Sequence, residues 1–484
     1  MKEKILNSIE PKEVFKYFEE ICGIPHGSSN TKKISDYCVE FAKKNSLRYI
    51  QDELNNIIIF KKGTKGYEKS SPVIIQGHLD MVCEKDNDCN IDMQTQGLEL
   101  VLEGDMISAA GTTLGGDDGI AVAYGLAVLA SDDIPHPPLE VIFTVDEEIG
   151  MLGAAYIDCS EIKSHTMLNI DSEEEGILLV SCAGGVTTTC TIPKESCNVS
   201  GELFKITVTG LKGGHSGVEI DKGRANSNQI MGKVLAGLEK KVRYNIVEIN
   251  GGRKDNVIPN ETIAKIAVKN SNCSIKDVIK KYEEMFREEY ADSDNGLRIT
   301  IDKESDEYIG TAMTEDCSGK VIQALVKLPG GVIKMSDDIK GLVQTSLNMG
   351  ILATTEDIIT MSFSVRSSVG SEKEDLIKQI KDIIEGLGGQ IECMGDYPAW
   401  EYNKTSRLRD IMADIYKEQT GKEADIQAIH AGVECGLFAG KINNLDCVSF
   451  GPDIYDIHTT KERISISSVK RTWTYLLEIL RRLK

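Results

Sequence analysis

The sequence predicts an α/β domain with a mostly parallel central sheet flanked by helices, interrupted in the chain by an inserted α+β domain. Three observations predict it. Through residues 1–185, short apolar runs alternate with amphipathic helical stretches, the texture of a parallel sheet with helical crossovers. From 186 to 396 the strand candidates lengthen, alternate polar with apolar, and stand beside charged amphipathic helices, as antiparallel α+β layers do. After GDYPAWEYN (395–403) the first texture returns, so 397–484 completes the domain begun by 1–185. A chain of 484 residues also exceeds what a single core serves.

The elements follow in order. Residues 11–24 and 30–44 read as helices from their apolar spacing, and Ser28-Ser29-Asn30 offers caps for the second. Strand-like runs cover 56–60, 73–75, 139–145 and 166–170, with a helix at about 119–130 between the second and third. In the inserted part, strands are expected at 203–209, 262–268, 297–301 and 358–365, and helices at 275–289 and 373–387. The last part holds a helix at 406–419, a strand at 447–450 and a helix at 467–483. The apolar stripe of that last helix (Val469, Trp473, Leu476, Leu477, Leu480) reads as core-facing, with a partner-binding face as the alternative.

Composition narrows the function. Apolar residues make up 41% and charged residues 27%, ordinary for a globular enzyme. The 55 basic and 76 acidic residues give a net charge of −21, which argues against nucleic acid or an anionic membrane as partner. The start, MKEKILNSIEPKEVF, has no apolar run of signal-peptide length, and no stretch approaches the ~18 apolar residues of a membrane span. The 13 cysteines include no CxxC, so free thiols are expected rather than disulfides or a thiolate zinc site. All of this points to the cytoplasm.

The chemistry sits where apolar strands end in polar side chains. In IIQGHLDMV, His78 and Asp80 are two apart and share a face. A strand-end histidine can bind a metal through one ring nitrogen while an aspartate takes a hydrogen bond from the other; taken alone, His-x-Asp is more often a structural or incidental pair. In GTTLGGDDGIAVA, Asp117 and Asp118 stand in a glycine-rich turn before a helix. They either cap that helix or present a carboxylate able to bridge two metals. FTVDEEIG places Asp146, Glu147 and Glu148 at a strand end, and burying such like charges costs several kcal/mol without a positive partner. MLNIDSEEEG adds Asp171 and SFGPDIYDIHTTKE adds His458. Ligands of an open parallel sheet bind beyond the carboxyl ends of its strands. Convergence of these residues there reads as a two-metal centre of two histidines, a bridging aspartate and flanking carboxylates.

The order His-x-Asp, Gly-Gly-Asp-Asp-Gly, Asp-Glu-Glu-x-Gly, Asn-x-Asp-Ser-Glu and a late histidine resembles the co-catalytic zinc peptidases of the carboxypeptidase/aminoacylase type. IPHGSSNT, GTTLGGDDGIAVA, GLKGGHSG, IHAGVECGLF and the length bring the resemblance closer, to the aminoacyl-histidine dipeptidases, also called Xaa-His or cytosol nonspecific dipeptidases. It extends over nearly the whole chain. The resemblance implies one metal held by His78 and Asp171, another by Glu148 and His458, and Asp117 bridging them. It implies that Asp80 tunes His78, that Glu147 is the general base, and that the Asp117–Asp118 peptide is cis. The ions implied are two divalent metals, zinc first, with cobalt and manganese also compatible. The split domain is then catalytic, and the inserted α+β domain is a lid and the interface of a homodimer. From that lid, His215 would stabilise an oxyanion, Arg366 would hold the C-terminal carboxylate of a dipeptide, and Asn256 would bind the same end or the substrate backbone. His430 lies in a family-like motif without an assigned role. The activity implied is hydrolysis of unblocked dipeptides, β-alanyl-histidine types included. Deacylation of N-acyl amino acids is the nearest alternative, and an inactive metal-binding protein a more distant one. Two departures stand out: TTKER follows His458 where many relatives have Ser-Pro, and Asp118 replaces the commoner Asn. The first is expected to bear on substrate recognition.

Overall fold

The computed structural model describes residues 5–269 and 274–484. They form two compact units. The first contains the chain up to Ser181 with Tyr402–Ala428 and Val433–Lys484; the second contains Cys182–Glu401 and Ile429–Gly432. Sequence texture puts the junctions at 185/186 and 396/397. The short excursion of Ile429–Gly432 into the second unit has no signature in texture at all.

In the first unit, an eight-stranded sheet among the described residues runs Arg48–Gln51, Ile57–Lys61, Leu139–Thr144, Val73–His78, Thr166–Asn169, Asp446–Ser449, Ile177–Cys182, Asp425–Ile429. The parallel part is its centre: Leu139–Thr144, Val73–His78, Thr166–Asn169 and Asp446–Ser449 run the same way. Ile57–Lys61 and Arg48–Gln51 extend one side antiparallel, and Ile177–Cys182 turns antiparallel on the other. Both faces of the central strands are covered, so their residues form apolar runs rather than alternations. Register aligns their carboxyl ends: His78 pairs with Thr144, Gln76 with Asn169, and Asn169 with Ser449.

Helix Gly116–Ala130 is buried along nearly its whole length. It comes close to Val73–His78 because residue 77 is glycine; a Cβ there would run into the Asp118 carboxylate and Ala121. Helix Lys12–Cys22 buries Val14, Phe15, Phe18 and Ile21. The closing helix Ile466–Arg482 buries Val469, Leu476 and Leu480, and its Trp473 stacks on Tyr124 at 5.8 Å, so the stripe is core. A small sheet completes the unit. Ile454–Tyr455 and Arg463–Ser465 form a hairpin, and Met106–Ala109 and Leu100–Glu103 continue it. His458 lies in the tip of that hairpin.

The caps differ from expectation. Helix Lys32–Lys44 begins after Thr31 without a side-chain cap. Ser28 and Ser29 instead turn toward carboxylates: the Ser28 hydroxyl donates to Asp80 (2.9 Å) and the Ser29 N–H to Asp146 (2.6 Å). Neither Asp117 nor Asp118 makes a side-chain cap for Gly116–Ala130; Gly115 stands at the cap position, and both aspartates, within the first turn, have non-helical backbone angles.

The second unit is built on a nine-stranded sheet. Its order is Arg298–Met313, Ser196–Thr209, Thr262–Val268, Tyr244–Gly251, Val343–Thr354, Ile358–Ser367, Gly184–Pro193, Gln390–Tyr397, with Gly331–Met335 added beside Val343–Thr354. Helices Ser227–Glu239, Ile275–Glu289, Glu315–Lys327 and Gly370–Gly386 accompany it. Val234, Leu235 and Leu238 join Ile206, Ile246, Ile266, Leu347 and Phe363 in one buried cluster. Sequence reading takes Arg298–Met313 for a strand ending at 301, because DKESDEYIG is polar. The ladder to Ser196–Thr209 carries it on, and Ile309 stands 87% exposed. The cysteines among the described residues are free thiols. No helix of those residues is long and apolar enough to cross a membrane.

Candidate metal centre and active site

His78 closes its strand and is buried. Its Nδ1 donates to the backbone carbonyl of Asp80 (3.0 Å), which turns Nε2 toward Asp117 Oδ1 (3.0 Å) and Asp171 Oδ1 (3.4 Å). His458 holds a left-handed backbone conformation at the hairpin tip (φ 61°). Its Nε2 lies 3.2 Å from Asp117 Oδ2 and 3.1 Å from Glu148 Oε1. The two oxygens of Asp117 therefore face two different imidazoles, and each imidazole has a second carboxylate beside it. The Asp117–Asp118 peptide is cis.

The Asp80 carboxylate faces His78 and also holds the turn that carries the glutamates. It stands 3.6 Å from His78 Nδ1, whose hydrogen bond goes to the Asp80 carbonyl instead. Its oxygens accept the N–H groups of Glu147 (3.0 Å) and Glu148 (3.3 Å) and the Ser28 hydroxyl. Asp80 thus fixes the turn that presents both glutamates. Asp118 accepts the backbone N–H of His78 (3.1 Å).

The electrostatics show a site with excess negative charge. Burial raises Glu147 to about 9, with His78 opposing and Asp171, Glu434 and Glu148 adding to the rise. Burial also raises Asp171 to about 6, again against His78. For Asp117, burial pushes upward, but hydrogen bonds to His458 and His78 win and hold it below the carboxylate range. Hydrogen bonds to Asp117 and Glu148 lift His458 to about 10. Burial works against charge on His78, yet Asp171 and Asp117 hold its pKa well above the usual value. Side chains able to hold an ion together include Asp117, Glu148 and His458, and His78 with Asp171 and Asp118. Around His78, Asp117 fits better than Asp118, because Asp118 is engaged with the strand backbone while Asp117 aims an oxygen at each ring.

The second unit carries the other expected residues. His215 pairs with Val257 in a two-residue bridge, and the Asn256 carbonyl accepts the N–H of Ser216 (2.9 Å). His215 Nδ1 accepts the N–H groups of Gly217 (3.1 Å) and Val218 (3.2 Å), so Nε2 carries the ring proton. Arg366 Nη1 donates to the Tyr397 hydroxyl (2.9 Å), and its buried Nε has no protein partner. His430 Nε2 lies 2.7 Å from Ser346 Oγ. Burial and the Arg366 charge push His430 down to about 4, and the same two causes lower His215.

Comparison with known proteins places this geometry. A sequence model of peptidase family M20/M25/M40 matches residues 74–482. The chain belongs to that family. It is 36% identical over 479 residues to the cytosol non-specific dipeptidase of Escherichia coli, covering 98% of each chain. The crystal structure of an aminoacylhistidine dipeptidase from Vibrio alginolyticus matches with a TM-score of 0.92 at 34% identity, over 98% of this chain and 97% of that one. The aminopeptidase PepT of Bacillus cereus shares the fold, at a TM-score of 0.57 and 15% identity over 98% and 99% of the two chains.

Two glutamates of this M20 peptidase join the site without having been singled out in the sequence. Glu434 is fully buried below the metal-facing layer. Its Oε2 accepts from Gln76 Nε2 (2.5 Å) and Thr144 Oγ1 (2.7 Å), while Gln76 Oε1 accepts from Asn169 Nδ2 (2.5 Å). Gln76 and Asn169 stand two residues before His78 and Asp171, so they line the same face one step lower. Glu434 belongs to IHAGVECG, where only the motif marked it. Glu462 is the acidic residue of TTKER. It faces the backbone of the Asp117 turn, which gives that segment a structural task.

Proposed function

We propose that this M20 peptidase is a metal-dependent dipeptidase that hydrolyses the peptide bond of unblocked dipeptides, Xaa-His dipeptides included. One observation carries the reading: Asp117 sets one oxygen toward His78 beside Asp171 and the other toward His458 beside Glu148. The donors fit a pair of divalent ions. Nitrogen and oxygen ligands at about 2.0–2.2 Å from a tetrahedral ion lie roughly 3.4 Å apart, and the donor atoms here stand 3.0–3.4 Å apart. His78 and Asp171 would hold one ion, Glu148 and His458 the other, and Asp117 both; zinc suits this set, and cobalt and manganese are compatible. Bound there, the ions would acidify a water toward pKa ~7 and polarise the scissile carbonyl. Glu147, half-buried beside the metal-facing side chains, takes the proton of the attacking water and returns it to the leaving amine. Asp80 keeps Glu147 aimed by holding its backbone N–H.

The first unit is the catalytic domain in this reading, and the second is a lid through which the protein forms a homodimer. His215 offers the Nε2 proton to the oxyanion, Arg366 receives the substrate carboxylate, and Asn256 binds the same end of the dipeptide. The names of the Escherichia coli and Vibrio relatives support a dipeptide substrate, and the first supports a cytoplasmic location. The test is hydrolysis of β-alanyl-histidine, Ala-His, Gly-Leu and their N-acetylated forms after chelator stripping and addition of two equivalents of zinc, cobalt or manganese. Metal-dependent cleavage of the free-amine dipeptides alone is expected. Faster cleavage of the acetylated forms would make the enzyme a deacylase.

A further inference from the structure

Backbone donors at the start of helix Gly116–Ala130 converge on one carboxylate. Glu462 Oε2 accepts the N–H groups of Leu114 (2.8 Å) and Gly115 (3.2 Å). Its Oε1 accepts that of Gly116 (2.7 Å) and, at longer range, that of Asp117 (3.4 Å). The residue is 2% exposed. Successive N–H groups turned inward, ahead of a helix whose dipole has its positive end there, make a concavity that suits an anion. The glycines permit it: Gly115 takes a left-handed conformation (φ 68°), and a Cβ on Gly116 would press on Oε1 at 3.3 Å.

The other end of Glu462 explains why a side chain fills this concavity. Residue 462 sits in the hairpin tip between Ile454–Tyr455 and Arg463–Ser465, and its N–H donates to the Thr459 carbonyl (3.1 Å). That tip presents His458. Both Asp456 (φ 53°) and His458 (φ 61°) adopt left-handed conformations there, which residues other than glycine avoid unless their surroundings hold them. The turn that the carboxylate grips presents Asp117. The two segments meet at the 3.2 Å contact between His458 Nε2 and Asp117 Oδ2.

We infer that Glu462 is a positioning residue of the metal centre. It binds the Asp117 turn to the His458 tip and so sets the geometry of the ion site made by Glu148, His458 and Asp117. It touches neither ion nor substrate. The inference rests on the two-metal reading above, and metal binding tests the two separately. Chelator-stripped wild type, Glu462→Gln and Glu462→Ala are titrated with cobalt(II), following the visible absorption band and the heat of binding, with thermal unfolding measured alongside. Wild type is expected to take two equivalents. In both variants the weaker equivalent should lose about 10–100-fold in affinity, the usual cost of removing a group that orients ligands, with an altered cobalt band. Glu462→Gln keeps the size of the side chain and one accepting oxygen, so it carries the test if the alanine variant does not fold. Two equivalents bound with wild-type affinity and an unchanged band in Glu462→Gln would overturn the inference, even with a lower melting temperature, because the glutamate would then serve only the fold. A wild type that takes fewer than two equivalents would overturn the two-metal reading itself, and this inference with it.

Discussion

The polar sites of the two units are electrostatic opposites. In the first unit, carboxylates gather at and below the ends of parallel strands, and burial drives Glu147 and Glu434 up to about 9 and 8. In the second, buried His430 and half-buried His215 are pushed down, His430 to about 4, by burial and by the Arg366 guanidinium. A site that resists carrying its own negative charge calls for cations. A site that keeps its imidazoles neutral beside a guanidinium calls for anionic or carbonyl oxygens. The proposed reaction would draw on chemistry of both kinds: divalent cations, and donors for an oxyanion and a carboxylate.

The sharpest way to break this division is at Glu147. If the first unit performs the proton transfer, Glu147→Gln should lower kcat by about 10²–10⁴-fold. KM and the two bound equivalents of metal should stay within about twofold. Steady-state kinetics and elemental metal analysis on the same sample decide it. Near-normal turnover with full metal would remove Glu147 from the reaction. Substitutions in the second unit should act differently from one another. His215→Ala should cost kcat about 10²–10³-fold, as loss of an oxyanion donor does. Arg366→Ala should act mainly on KM, by about 10–100-fold, the scale of a charge-assisted hydrogen bond of ~1.5–3 kcal/mol. An Arg366→Ala enzyme with unchanged KM and lowered kcat would place the arginine at the reacting centre instead.

The same contrast governs how much of the molecule is legible in its sequence. His78, Glu147, Glu148 and Asp171 can be found because parallel strands put their carboxyl ends on one edge, so a polar residue after an apolar run is already placed, whereas Asp117 and His458, in a helix-entry turn and a hairpin tip, are marked by their motifs. The groups that hold them are not found this way. Glu434 meets Gln76 across 358 residues and Glu462 meets Leu114 across 348, and no local pattern announces such a pairing. Ser28 shows the converse. Beside a helical run it reads as a cap, yet its hydroxyl serves Asp80, because a buried carboxylate holding two backbone amides has room for a third donor. In the second unit, Gly184–Pro193 escapes notice because two of its inward positions, Thr188 and Cys190, are not strongly apolar. Its place between Ile358–Ser367 and Gln390–Tyr397 comes from the ladder on both sides.

The smallest expected effect sharpens the comparison most, because its sign differs between the units. Glu434 receives hydrogen bonds from Gln76 and Thr144 on one oxygen, while its other oxygen is buried without a partner. Burial raises it from 4.5 to about 8; His78 and these hydrogen bonds pull downward without prevailing. Below pH 4.5 the carboxyl is protonated in both the folded and unfolded chain, and its contribution to stability is fully present. Between 4.5 and 8 the unfolded chain gives up the proton that the folded chain keeps, so that contribution declines as pH rises and is lost beyond 8. His430 runs the other way. Its pKa falls from 6.5 to about 4 on folding, so its contribution is present above 6.5 and is lost as pH drops toward 4. In metal-free protein, Glu434→Gln should therefore flatten the decline of the melting temperature between pH 5 and 8. His430→Gln should flatten its rise between pH 4 and 6.5. Parallel curves for Glu434→Gln and wild type would mean that Glu434 is ionised in the folded protein. The negative charge below the metal-facing side chains would then be larger by one.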